Sequence, residues 1–337
     1  MLAVATISAN AQSDSKPLFG EFKLEARADF NYSQHESDDP LYGFRGRYFN
    51  LHLGGSLGNG FDYYLRQRLI AKPGTVGLFD NTDFLYLSYN VSPHFRLRAG
   101  KDALAVGGYE YDARPIDVYF NTTYWDNFYC FQIGFSAAYI NDGQTFMFQV
   151  ANSPAVHSLS PNFNFATNRL SYNLYWAGSA GPVQTLWSAN LFQRDDGNYM
   201  GYIALGNRLD FNHWAIYVDL IHHSVAADDW GKNYCLVSRL DLKLGHGLSC
   251  FVKGAYEQNK SDEDLTTFAA LDLFVPAGSS YLLYGAGLEY RPDRCPDARL
   301  HAFFANRKST LGNIETNDLT ANIGVTWDIN FLKLKRK

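Results

Sequence analysis

The chain has 337 residues and no run of about 18 apolar residues, which excludes a transmembrane helix. A net charge of -5 argues against a general nucleic-acid binder, so no nucleic acid is expected as a partner. Aromatic residues make up 16% of a chain whose mean hydropathy is that of a water-soluble protein. That mixture arises when one face of every strand meets water and the other meets lipid.

Met1 to Gln12 reads as the end of a secretory signal. Ala9-Asn10-Ala11 has the small-x-small pattern of a cleavage site, although no basic region precedes it. The expected division is a signal remnant over 1–11 and a single barrel domain over 12–337. Four scattered cysteines (Cys130, Cys235, Cys250, Cys295) form no CxxC pair and no metal-ligand spacing. They are expected to be structural thiols, with no metal, cofactor or disulfide.

The first strand has the clearest pattern. Phe22, Leu24, Ala26, Ala28, Phe30 and Tyr32 alternate with Lys23, Glu25, Arg27, Asp29 and Asn31. A sustained period of two means a strand with one apolar and one hydrated face. A polar loop from Ser33 to Phe44 is expected next, then a strand with Phe49, Leu51, Leu53 and Leu57, a tight turn at Gly58-Asn59-Gly60, and a strand carrying Arg66 and Arg68. A loop with Lys72-Pro73-Gly74 leads to a strand with Leu85, Leu87, Tyr89 and Val91. The fifth strand points Phe95, Leu97 and Ala99 one way and Arg96 and Arg98 the other.

Beyond the segment 102–126, lipid faces are read at Phe131 to Tyr139, Phe146 to Val150, Leu170 to Trp176, Thr185 to Leu191, and at Met200, Tyr202 and Ala204. Further strands carry Trp214 to Leu220, Leu236 to Leu244 and Leu248 to Tyr256. His222 to Asn233 reads as a loop, and Phe268 to Val275 as an apolar piece inside an acidic loop. Leu282 to Tyr290 follows, then a short strand Leu300 to Phe304, a final loop, and a last strand with Leu319 to Phe331. Short turns alternate with longer loops. The fold expected is an all-β transmembrane antiparallel up-and-down β-barrel of about 16 strands, with an inward-folded third loop.

Arginines on a strand face opposite apolar residues are costly in a dry core and natural in a water-filled lumen. The candidate pore-lining basic wall is Lys23, Arg27, Arg45, Arg47, Arg66, Arg68, Arg96, Arg98 and Lys101. The candidate constriction loop brings Glu110, Asp112, Arg114, Asp117 and Asp126 across from it, wedged by Tyr109, Tyr111, Tyr119, Tyr124 and Trp125. Guanidinium groups can hold carboxylate or phosphate by paired hydrogen bonds, so the wall could pass anions between weak sites. It could equally pair with Glu21, Glu25, Asp29, Asp62, Asp83 and Asp102 and leave a weakly selective pore. The second pattern is the more ordinary one.

Arg98-Ala99-Gly100-Lys101, the following Gly107-Gly108-Tyr109-Glu110, the arginine-rich wall and the strand count resemble the phosphate-selective porins of the O and P type, particularly members from Bacteroidetes-like bacteria. The resemblance covers nearly the whole mature chain as architecture. It implies a passive, trimeric channel for small hydrophilic solutes in the outer membrane of a Gram-negative bacterium, narrowed by its third loop. Implied partners are outer-membrane lipid, small solutes or anions including phosphate, and further copies of the chain. Phosphate specificity in the namesake members rests on arginine ladders. Here inward acids stand beside the arginines, so the resemblance supports a porin more than it supports phosphate.

Other readings are weaker. His222-His223 with Asp228 and Asp229 fits a solvated loop better than a metal site. No nucleophile-base pair can be placed by spacing, so no enzyme is expected. The main alternative is a non-conducting outer-membrane adhesin, receptor or structural barrel.

Overall fold

The computed structural model describes residues 17–36, 38–70, 81–127, 129–155, 168–224, 231–260 and 275–332. The expected signal remnant, the Lys72-Pro73-Gly74 loop, most of the apolar piece 268–275, Asp228 and Asp229 lie outside them. So does the basic end of the chain, 333–337.

Antiparallel strands close into one barrel. They are β1 (Glu21–His35), β2 (Leu41–Gly58), β3 (Phe61–Arg68), β4 (Thr82–Asn90), β5 (Phe95–Ala103), β6 (Phe131–Asn141), β7 (Gln144–Asn152) and β8 (Leu170–Ala180). The circuit continues through β9 (Val183–Gln193), β10 (Tyr199–Asp210), β11 (Trp214–Ser224), β12 (Asn233–Gly245), β13 (Leu248–Asn259), β14 (Ser279–Tyr290), β15 (Ala298–Leu311) and β16 (Ile314–Asn330), which pairs with β1. Closure matters because an open edge would leave backbone groups unpaired in lipid.

Each strand obeys its period of two. On β1 the apolar stretch Phe22 to Tyr32 faces out; on β13 Leu248 to Tyr256 does, and on β16 Leu319 to Ile329. These lengths fit the roughly 9–11 residues that a tilted strand needs to cross a bilayer. Phe22–Phe331, Phe61–Tyr89 and Phe211–Trp214 pack with ring centroids 4.7, 4.5 and 4.6 Å apart and ring the end that holds both termini. Tight turns close that same end. Asn59-Gly60 and Asp142-Gly143 take positive φ (50° and 83°, 42° and 77°), as a two-residue hairpin turn matched to strand twist requires.

The structure corrects several sequence expectations. The loop expected from Ser33 to Phe44 is shorter, because β1 and β2 continue pairing up to Ser33↔Leu41. His222 and His223 belong to β11, paired with β10, and not to a loop. The expected final loop is a two-residue turn at Gly312-Asn313, since β15 runs on to Leu311. On β10 the assigned face is reversed. Met200, Tyr202 and Ala204 point inward and are buried, in register with Phe192, Asn190 and Ser188 of β9. The free cysteines of β12 and β13 do not face each other: Cys235 is opposite Glu257 and Cys250 opposite Leu242.

Candidate functional site

The connection from β5 to β6 contains two short helices, α1 (Tyr109–Asp112) and α2 (Thr123–Asn127), with a single 3-10 turn at Pro115–Asp117 between them. A segment of this shape has many backbone groups without a sheet partner, and each needs one once buried. The inner wall supplies them. Near the neck, the Ala105 N–H donates to Gln149 Oε1 on β7 (2.7 Å) and the Gly107 N–H to Ser188 Oγ on β9 (2.8 Å), while the Leu104 N–H meets Cys130 O at the far end of the same connection (2.8 Å). A Cβ on Gly107 would stand 2.4 Å from Leu186 O, so only glycine lets the chain lie this close to the wall.

Farther along, cations hold the carbonyls. Arg299 donates to Ile116 O (3.1 Å), Arg27 to Val118 O (2.8 Å), Lys253 to Phe120 O (2.6 Å) and Arg307 to Asn121 O (2.7 Å). Carboxylates hold the amides: Asp219 accepts from Tyr109 and Glu110, and Glu257 from Thr123 and Tyr124. Aromatic packing fills the space beneath. Tyr119 stacks on Phe251 (5.3 Å) and Tyr124 on Tyr202 (5.3 Å), and Phe120 packs tilted against Phe303 (5.6 Å). The inward apolar residues of β9 to β15, including Phe192, Val237 and Leu283, are buried in this cluster instead of facing water.

The tip of the segment reaches the start of the chain. Arg114 Nη1 lies 3.2 Å from Glu25 on β1 and 3.3 Å from Asp328 on β16, and its Nε bonds Asp117 at 2.8 Å. Burial raises the Asp117 carboxyl, but Arg299 and Arg114 outweigh it and hold the group at about 2. Asp117 therefore stays ionised at any ordinary pH.

The inner face of β2 to β5 carries Arg45, Arg47, Arg66, Arg68, Arg96 and Arg98 against Asp62, Asp83 and Asp102. Arg47 sits in the β-bulge opposite Arg27 and Ala28, and its charge acts on Asp126 of α2. Asp83 is shared, at 3.0 Å from Arg66 and 2.8 Å from Arg68, and Asp102 binds Arg98 at 2.6 Å. Rings back the guanidinium groups: Arg66 lies over Phe84 (4.5 Å) and Phe131 (5.1 Å), and Arg98 over Tyr86 (4.1 Å). Phe131, expected on the lipid face, thus turns its ring toward these inner residues at the first position of β6.

Three of the sequence-selected residues sit elsewhere than expected. Lys101 pairs in register with Leu85 and Ile133, on the outer face, because it is an odd number of residues from Arg96 and Arg98. Arg27 is sealed between Asp29 (2.8 Å), Val118 O and Tyr119, out of reach of solvent. Glu110 is buried against Lys253 on the opposite wall at 2.5 Å and does not meet the β2–β5 arginines. Buried charges need partners, and Arg27 and Glu110 have theirs in Asp29 and Lys253. Lys23 bridges Glu25 (2.8 Å) and Asp328 (3.2 Å). Asp112 and Asp126 end on the segment, Asp126 accepting from Asn121 at 2.7 Å.

Asp219, Glu257, Lys253 and Arg299 were not among the residues selected from sequence. The available signal was a single charge within an inward apolar row, as in Ala215, Tyr217, Asp219, Ile221. A charge there requires a partner from outside its own strand.

The model of the phosphate-selective porin O and P family matches residues 21–184. Among curated proteins none matches the chain by sequence. The fold is similar to that of the anion-selective porin from Comamonas acidovorans (TM-score 0.62, 13% identity, 91% of this chain and 98% of that one). It is also similar to OprB of Pseudomonas putida (0.62, 12%, 92% and 94%) and to in-vitro folded OmpT of Vibrio cholerae in its trimer form (0.52, 10%, 93% and 100%). With a closed sixteen-stranded barrel, a lipid-matched outer face and a charged inner one, the chain resembles the phosphate-selective porin O and P family over residues 21–184 and is a channel of the Gram-negative outer membrane.

Proposed function

We propose that the channel is passive, passes small hydrophilic solutes and favours anions weakly, without a dedicated phosphate site. The observation that carries this is the charge balance of the β2–β5 inner wall. Six arginines stand there against three aspartates, and among the described residues Arg45, Arg47 and Arg96 form no ion pair with a carboxylate. The surplus biases permeation toward negative solutes, while the acids that engage Arg66, Arg68 and Arg98 temper it. The protein is a conduit and not an enzyme. Residues 1–11 are read as an export signal.

A homotrimer fits this reading. Ala26, Ala28 and Gly46 lie side by side on the outer face, with Ala28 opposite Gly46, and make a shallow strip suited to another subunit. The Vibrio cholerae neighbour in its trimer form gives the precedent.

The test is the zero-current potential of the refolded protein across a KCl gradient. Anion selectivity is expected in the parent. It should fall or reverse when Arg66, Arg68, Arg96 and Arg98 are replaced by Gln in a barrel that still shows heat-modifiable gel mobility. A potential that does not move on removing these four charges would overturn the proposed wall.

A further inference from the structure

We propose that Asp219 and Glu257 are positioning residues that set the open width of the channel, by capping the two short helices of the inward segment from the barrel wall. The first turn of a helix leaves N–H groups without partners, normally met by a side chain of the helix's own cap residue. Gly108 precedes α1 with φ 100° and offers no side chain. The wall replaces it: Asp219 takes the Tyr109 N–H on Oδ1 and the Glu110 N–H on Oδ2, both at 2.8 Å. At α2 the preceding Thr122 accepts the Trp125 N–H on its own hydroxyl (3.3 Å), and Glu257 takes the N–H groups that this leaves over. It accepts from the Thr123 N–H (3.0 Å), the Thr123 hydroxyl (3.2 Å) and the Tyr124 N–H (3.4 Å).

Neither carboxylate serves the barrel itself. Both are buried on inward positions of β11 and β13, and among the described residues neither forms an ion pair. Among the described residues, all the hydrogen bonds they accept come from the segment. A buried acid without a partner on its own wall is costly, and that cost is offset only when the segment is docked. The wall is also shaped for this contact. A Cβ on Gly206 would stand 2.8 Å from Gly108 Cα and 2.9 Å from Asp219 Oδ1. The wall blocks one side, so a released segment moves away from it and into the passage along the arginine wall. The latches therefore hold the channel open.

Single-channel recording of the D219N/E257Q variant tests this. Each substitution keeps the side-chain size while removing the charge and one acceptor. Brief closures should become roughly tenfold more frequent, as expected for weakening hydrogen bonds to charged acceptors. The thermal transition of the barrel should shift little, which separates a positioning role from a purely structural one. Steady conductance equal to the parent's, or a lowered barrel transition with steady conductance, would overturn the proposal. If the double variant does not fold, G206A presses on Gly108 with both carboxylates intact and must flicker too; a steady G206A channel overturns the proposal equally. The parent's own conductance reports on the channel, and the difference between parent and variant reports on the latches.

Discussion

Replacing Arg27 by alanine is expected to destabilise the folded barrel by about 3–5 kcal/mol, the range for breaking a buried ion pair from one side. The side chains of Arg27 and Asp29 are 1% and 0% exposed. Arg27 Nε lies 3.0 Å from both Asp29 oxygens, Nη2 lies 2.8 Å from Oδ2, Nη1 holds Val118 O, and the guanidinium rests 4.8 Å over the Tyr119 ring. Removing it leaves Asp29 with His301 Nε2 at 3.0 Å as its remaining side-chain partner and frees the Val118 carbonyl. The penalty comes mainly from the stranded carboxylate. The double variant R27A/D29N should therefore recover most of the loss. Urea unfolding in detergent micelles, followed by tryptophan fluorescence, measures both. A double variant as unstable as R27A would place the cost in lost packing instead.

Lys253→Met is the second large effect, again about 3–5 kcal/mol by the same mechanism. Methionine fills most of the volume, so the loss is electrostatic. Lys253 and Glu110 are 4% and 2% exposed and 2.5 Å apart, and Lys253 also donates to Phe120 O. Without the ammonium, Glu110 keeps, among the described residues, the Thr122 N–H (3.2 Å) and hydroxyl (2.6 Å). Both partners of Lys253 lie on the inward segment, so undocking should precede barrel unfolding. The expected result is a new early phase of unfolding in K253M, suppressed by adding E110Q. A single transition unchanged from the parent would contradict the role given to this pair.

The outer face was legible in the sequence because lipid and water impose opposite demands on neighbouring residues. On β1 Phe22 to Tyr32 left no ambiguity, and the fifth strand's arginines marked a wet interior. The period of two was informative only where the faces differ. On β10, Tyr199, Ile203 and Leu205 face out while Met200, Tyr202 and Ala204 face in, so both faces are apolar and parity alone cannot choose. The inner one is apolar because the segment covers it. Lys101 illustrates the reverse error. Parity placed it with Ala99, yet its charge drew it into the basic wall. The latches were hidden for another reason. Asp219 bonds Tyr109 from 110 residues away and Glu257 bonds Thr123 from 134, and in both cases the partner is a backbone amide, which carries no sequence signature.

A conducting channel needs a water-filled passage beside the docked segment, along the arginine wall of β2 to β5. Single-channel current from the purified, refolded protein in a planar bilayer tests it most directly. Stepwise, ohmic conductance in KCl is the predicted result, with closures in groups of three where the proposed trimer inserts. A folded, heat-modifiable barrel that inserts and yet passes no current would contradict the claim and leave a non-conducting barrel in its place.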